Sequence, residues 1–277
     1  MTVIAMTREM GTLGKDVAAG LAEKLGLTVV HHELVEHDIA ERAGMRESDV
    51  HRFLEGESSL LQRWKIDRSR MARYTTHEIL ELAVKGKVLI RGWGATYLLR
   101  SIPHVICVRI CAPMSFREKV LMKRLNITDA ALAQKEIARN DAAHNGTMQK
   151  MFGINWMDAT LYDIILNTAR VPVEDCVKQI IGLTECPAFQ ETSHSQGALM
   201  DQLILSRVRA VLDDRFGSGV GTLGGLDAAV SAGKVTLTGA TTDQQTIVDA
   251  VRATQSVEGV TGVESQVNFV EFRTTNV

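Results

Sequence analysis

Three short runs rich in valine and isoleucine, TVIAM (2–6), KVLIRG (87–92) and HVICVRI (104–110), place the tightest limit on the fold of this chain. Their apolar character is nearly continuous rather than alternating, the pattern of strands buried on both faces of a parallel sheet. DIILNT (163–168) reads as a fourth strand of the same kind. Helical patterns lie beside them. GKDVAAGLAEKLG (14–26) carries Val17, Ala18, Leu21, Ala22 and Leu25 at helical spacing and stops at Gly26. HELVEHDIAERAG (32–44) repeats that arrangement, and TTHEILELAVKGK (75–87) feeds directly into the second strand. Strands alternating with amphipathic helices predict an α/β fold.

The first strand runs into MTREMGTLGKDVA, which begins at Met6. A Walker A loop, Gly-x-x-x-x-Gly-Lys-[Ser/Thr], wraps phosphates in backbone N–H groups and offsets their charge with its lysine. Here Gly14 and Lys15 match, Thr7 stands at the first glycine, and Asp16 replaces Ser/Thr. The residues alone admit a phosphate cradle or a βα turn with a solvated lysine. Asp16 at a helix start suits the dipole but repels phosphate unless Mg²⁺ lies between. Thr12 offers the hydroxyl that position 16 lacks.

In this setting MTVIAMTREMGTLGKDVAAGLAEKLGL resembles the opening of the cytidylate kinase-like proteins, a branch of the P-loop nucleoside monophosphate kinases. That branch opens with a strand and then Ser-Arg-Glu-Tyr-Gly-Ser-Gly-Gly-Arg-Glu. Thr7, Arg8, Glu9, Gly11, Thr12, Gly14 and Lys15 fall in register, and the absent first glycine is usual for the branch. The resemblance continues through KGKVLIRGWGATYLLR (85–100), FREKVLMKRLNIT (116–128) and FGINWMDATLYDIILNTARV (152–171), covering residues 1–183. It implies a P-loop kinase three-layer parallel sheet with helices on both faces. It implies ATP-dependent phosphoryl transfer to a nucleoside monophosphate, (deoxy)cytidylate, with ATP and Mg²⁺ as cofactors. On this resemblance Arg8, Gly11, Thr12, Leu13, Gly14, Lys15 and Asp16 hold the donor phosphates, with Asp16 and Thr12 toward the metal. Lys15, Arg139 and Lys150 are the candidate catalytic cations. Arg91, Trp93, Asp141, His144 and Asp163 are candidates for the acceptor.

This sequence also departs from the family pattern. The acceptor turn Gly-Arg-Gly becomes Gly92-Trp93-Gly94, with Arg91 two residues earlier on the same strand face. The lid motif Asp-Arg-x-Arg becomes Asp141-Ala142-x-His144, which removes two strong phosphate donors. The family's Tyr-Asp pair becomes His31-His32; neighbours on a strand point oppositely, so a shared metal ion is not expected. RWKIDRSRMARY (63–74) holds Arg63, Lys65, Arg68, Arg70 and Arg73 against one acid, a solvated face or a surface for an anionic partner. A catalytically degenerate nucleotide sensor or scaffold is therefore the alternative function.

Beyond CPAFQETSHSQGAL (186–199), which is polar and lacks periodicity, DQLILSRVRAVLDDRFG (201–217) reads as an amphipathic helix. Alternating strand patterns at 226–239 and 263–272 flank a helix at 241–260, giving α-β-β-α-β. Val230, Gly233, Val235, Leu237 and Gly239, then Gly259, Val260 and Val263, resemble the BON domain, a family of interaction modules. The expected organisation is a kinase-like domain at 1–185, a linker at 186–199 and a small α+β BON-like domain at 200–277. A net charge of −2 over 277 residues gives no basic surface for nucleic acid. Residues 186–277 carry 6 Lys+Arg against 10 Asp+Glu, which opposes an anionic membrane. Self-association, a small ligand or a protein partner is expected for that domain. The four cysteines form no Cys-x-x-Cys pair. The opening residues lack a signal-peptide pattern, and no apolar run reaches the roughly 18 residues of a membrane span. A cytoplasmic location is expected.

Overall fold

The computed structural model describes residues 2–30, 36–37, 39–41, 44–54, 68–92, 94–217 and 225–270. The chain divides into two compact units, Met1–Thr192 and Ser193–Val277.

The first unit is built on a five-stranded parallel sheet of order β2-β3-β1-β4-β5. Its strands are β1 (Val3–Arg8), β2 (Thr28–Val30), β3 (Val88–Arg91), β4 (Val105–Cys111) and β5 (Ile164–Asn167). β1 is central, pairing Val3 with Val88 of β3 and with Val105 of β4. Val3, Ile4, Ala5 and Met6 are 0% exposed, which is why this run is apolar at every position. Helix α1 (Gly14–Leu25) places Val17, Ala18 and Leu21 against Ile4, Met6, Val108 and Ile110. Cys176, Val177 and Ile180 of α7 (Val173–Glu185) complete that core layer. Helices α3 (Arg68–Lys85) and α4 (Ala95–Leu99) contact β3 and β1 respectively, and Cys107 Sγ of β4 meets the Thr96 carbonyl of α4 at 3.3 Å. Two further helices, α5 (Met114–Leu125) and α6 (Ala130–Phe152), follow β4 and pack on each other. A short helix, α2 (Glu47–Leu54), precedes α3.

The strands expected at 2–6, 87–92, 104–110 and 163–168 are present. β2 has only 3 residues, too few to show a period in sequence. Of the helix expected at 32–44, residues 36–37 and 39–41 are helical, and 32–35, 38 and 42–43 lie outside the described residues.

The second unit pairs β6 (Asp227–Ser231) antiparallel with β7 (Lys234–Thr241), and β7 parallel with β8 (Gly262–Phe269). Ala232 and Gly233 join β6 to β7 with φ of 49° and 75°. Both are left-handed, the backbone that lets a two-residue hairpin follow strand twist. Asp201 of α8 (Ser193–Phe216) accepts from the Ala232 and Gly233 amides at 2.8 and 2.9 Å, pinning the turn to the helix. Ile204, Val208 and Leu212 of α8 share a core with Val235, Leu237 and Ala250 of α9 (Gln244–Gln255) and the sheet. Helix α8 begins inside the stretch expected to be a linker, which also holds a short 3-10 turn at Pro187–Phe189. The periodicity was hidden because Ser195, 1% exposed, occupies the buried stripe one turn before Leu199. A buried hydroxyl does not register in an apolar count.

Candidate functional site

β1 lies between β3 and β4, so the chain reverses its direction of travel across the sheet at the carboxyl end of β1. Open α/β sheets bind ligands in the crevice at such a point. The turn from Glu9 to Leu13 occupies it. Gly11 has φ +80°, and a Cβ there would stand 2.6 Å from the Arg117 carbonyl oxygen, so only glycine fits. Leu13, at φ 58°, is the N-cap of α1 and makes no side-chain cap bond. The first turn of a helix has orphan N–H groups that a cap usually takes. Here Glu9 N bonds the Ile110 carbonyl and Asp16 N and Val17 N bond the Leu13 carbonyl, at 3.0 to 3.2 Å. Among the described residues the amides of 10–15 donate to no protein acceptor. The turn is braced from within instead. Thr12 Oγ1 donates to the Glu9 carbonyl at 2.7 Å, and Thr168 Oγ1 donates to the Thr12 carbonyl at 2.6 Å.

Positive charge gathers at the same turn. Burial, then the guanidinium groups of Arg8, Arg124 and Arg91, hold the Lys15 ammonium below the ordinary lysine value, against Asp16, which raises it. Arg91 lies at the end of β3, opposite Met6 of β1, and is 6% exposed. Among the described residues neither Lys15 nor Arg124 has an ion-pair partner. Cations gathered at a turn whose amides, among the described residues, donate to no protein acceptor form a place where an anion is stabilised.

Behind the turn the balance is different. Glu9, 6% exposed, receives Arg109 at 2.6 Å on one oxygen and faces Arg117 at 3.4 Å with the other. Arg117 makes a two-pronged bond to Asp141 of α6, at 2.7 and 2.8 Å, and its Nε donates to the Met10 carbonyl at 2.7 Å. Arg109 also donates to the Met157 carbonyl at 3.0 Å and lies 5.3 Å from the centre of the Trp156 ring. Two arginines and two carboxylates thus close a neutral cluster beneath the loop.

Several expected site residues stand elsewhere. Asp141, expected at the acceptor, has both oxygens committed to Arg117. His144, one turn on, stacks edge-on against Trp156 at 4.5 Å, and burial pushes its pKa down to about 4. It is neutral near pH 7 and supplies no cation. Asp163, also expected at the acceptor, accepts from the Cys107 amide at 2.7 Å. Cys107 is three residues back along β4 from Ile110, which meets Glu9, so Asp163 sits roughly 10 Å below the loop. Thr12, expected beside the metal, is 1% exposed and turned into the loop. Arg139 and Lys150 are exposed on α6, outside its buried stripe of Ala133, Ile137, Thr147 and Met148, and Arg139 pairs with Glu136 at 3.1 Å. Asp16 is exposed in the first turn of α1 beside Lys15. Trp93, His31, His32, Arg63 and Lys65 lie outside the described residues, as do the side chains of Arg68 and Arg70. Sequence reasoning missed Arg109, Arg117 and Arg124. The available signal was Arg109 itself, since an arginine inside a buried strand requires a buried acid.

The model of the cytidylate kinase-like family matches residues 3–170, and the BON domain model matches residues 201–271. The cytidylate kinase of Pyrobaculum aerophilum is 24% identical over 181 residues, 64% of this chain and 90% of that protein. The cytidylate kinase of Methanocaldococcus jannaschii is 25% identical over 166 residues, 59% of this chain and 86% of that protein. An uncharacterized protein from Eubacterium ventriosum superposes with a TM-score of 0.52 at 22% identity, over 66% of this chain and 98% of its own. That likeness is one of fold.

Proposed function

The chain belongs to the cytidylate kinase-like family through residues 3–170, and from that premise we propose that its first unit binds ATP at the turn 8–16 and transfers the terminal phosphoryl group to (deoxy)cytidylate. The observation that carries this reading is the row of amides from Met10 to Lys15, which among the described residues donate to no protein acceptor, with the positive charges of Lys15, Arg8, Arg124 and Arg91 gathered at the same turn. Phosphoryl transfer requires little covalent help from protein. It is governed by positioning and by stabilising charge on the moving group.

In this reading the amides of 10–15 and the Lys15 ammonium hold the donor phosphates. Arg8 and Arg124 add charge at the loop's flank. Arg91, at the end of the neighbouring strand, serves the acceptor phosphate. The donor set suits Mg²⁺, which takes one or two carboxylates and otherwise binds phosphate and water oxygens. Asp16 is the exposed hard-oxygen donor at the loop and would hold it; Thr12, already bonded to Glu9, is a brace. Mg²⁺ supplies neutralisation of phosphate charge. Lys15 and the amides orient the donor whether or not turnover follows.

A second reading, nucleotide binding without turnover, is favoured by one observation. At the two register positions where the resemblance places arginines stand Ala142 and the neutral, packed His144. Each missing preorganised donor costs about 2–4 kcal/mol of barrier. The BON-like unit acts in either case as an interaction module, and in the second reading it is the output.

The deciding experiment measures ATP affinity and nucleoside diphosphate formation with ATP, Mg²⁺ and a panel of CMP, dCMP, UMP and AMP. Phosphorylation of CMP or dCMP above the other acceptors is the expected result. Saturable ATP binding with no diphosphate formed selects the second reading. Equal ATP affinity in wild type and Lys15→Ala overturns both.

A further inference from the structure

We propose that Asp141 and Arg117 form a positioning pair that ties helix α6 to the phosphate loop, so that binding of a triphosphate at the loop is felt along the helix. The inference rests on the nucleotide reading above. It adds a mechanical link that neither the family match nor the loop itself supplies.

Arg117 is buried at the amino end of α5, and its bonding capacity is divided between the loop and helix α6. Toward the loop, its Nε holds the Met10 carbonyl at 2.7 Å, NH1 faces Glu9 at 3.4 Å, and its own carbonyl lies where a Gly11 Cβ would go. Toward α6, NH1 and NH2 take the two oxygens of Asp141 at 2.8 and 2.7 Å. A guanidinium is planar, so the two sets of bonds cannot be adjusted independently. Rotating the fork to follow one partner misaligns it with the other.

Apolar packing runs parallel to this link. The Met10 side chain packs against a cluster formed by Leu121 of α5 with Ala133 and Ile137 of α6. Asp141 continues that stripe one turn beyond Ile137. One turn further, His144 meets Trp156, whose ring also faces Arg109, the second partner of Glu9. Helix α6 is therefore held at 137, 141 and 144 by groups that each lead back to Glu9 or Met10. A displacement of the loop by phosphate reaches the helix through bonds at hydrogen-bond distance and side chains in contact.

Asp141 touches neither the loop amides nor Lys15, so its role is positioning. The test follows amide hydrogen exchange in the full chain, with and without saturating ATP and Mg²⁺, for wild type and Asp141→Asn, alongside ATP affinity and thermal unfolding. In wild type, ATP slows exchange at 10–17 and also at 137–148. In Asp141→Asn the loop response persists, the helix response is lost, and ATP affinity falls by about fivefold or more, the lower range of measured couplings between sites. If Asp141→Asn loses its thermal transition, Asp141→Glu, which keeps the charge and displaces it by one methylene, is read in the same way. A helix response equal in variant and wild type overturns the coupling, as does a wild-type loop response with none in the helix. Absence of any ATP response at 10–17 in wild type is a different failure: it removes the nucleotide reading and the coupling together.

Discussion

At Gly11 the backbone passes so close to Arg117 that a methyl group has no place to go. A Cβ would meet the carbonyl oxygen at 2.6 Å, and φ of +80° would strain any other residue. Gly11→Ala is expected to cost about 1–3 kcal/mol of stability, read as a lowered denaturant midpoint. It is also expected to weaken ATP binding, because relief requires the loop to move away from α5. Glu9 presents the opposite case, a residue whose value lies in charge. It is 6% exposed between two guanidinium groups. Glu9→Gln keeps the shape and leaves Arg109 and Arg117 with one carboxylate between them, so a loss of about 3–5 kcal/mol is expected in urea unfolding. A loss below about 1 kcal/mol would show that water reaches the cluster and screens it. The sequence made Gly11 and Lys15 legible through their position after a buried strand. It did not make Glu9 legible as the hub of an ion cluster, because its partners are 100 and 108 residues away along the chain.

Among the elements, α6 shows how one helix exchanges one role for another. The resemblance puts phosphate-binding residues at 142 and 144. The structure turns Asp141 and His144 inward, where they bond Arg117 and pack on Trp156. Packing leaves its own titration signature. The folded-state pKa of His144 lies near 4, below the ordinary histidine value of 6.5, so the unfolded chain binds the extra proton between those values. The contribution of His144 to stability is therefore fully present above pH 6.5 and is lost as the pH falls toward 4. His144→Phe is expected to flatten that part of the stability–pH curve relative to wild type, measured by urea midpoints across the range. An unchanged slope would mean that the imidazole titrates as if exposed. In the second unit, α8 holds the β6–β7 turn through Asp201 and two backbone amides. Bonds to a charged acceptor contribute about 1.5–3 kcal/mol, so Asp201→Ala is expected to lower the stability of that unit by a similar amount. Local sequence could not announce this contact, since Asp201 reads as one more polar position on an amphipathic helix.

For the whole chain, the decisive fact is that each unit closes its own core. Ile4, Val17 and Val108 belong to one, and Val208, Val235 and Ala250 to the other. Two separate cores predict two transitions in calorimetry. ATP at a hundredfold excess over its Kd is expected to stabilise the first unit by about 2.7 kcal/mol and to raise that transition. A single transition would contradict the separate unfolding of the two cores, and an equal shift of both would contradict the assignment of the nucleotide to the first unit alone. The sequence by itself determined the parallel sheet, the strand–loop–helix unit at Lys15 and the α-β-β-α-β order of the tail. Those depend on the spacing of apolar residues and on turns, which are properties of neighbours along the chain. Only the tertiary structure decided which charges face the loop and which brace it from behind. Arg124 reaches the cation cluster, Arg139 pairs outward with Glu136, and Asp141 belongs to Arg117. Such outcomes depend on how each helix is rotated about its axis against its neighbours. A charged residue in a linear sequence carries no sign of which side of the helix will be buried.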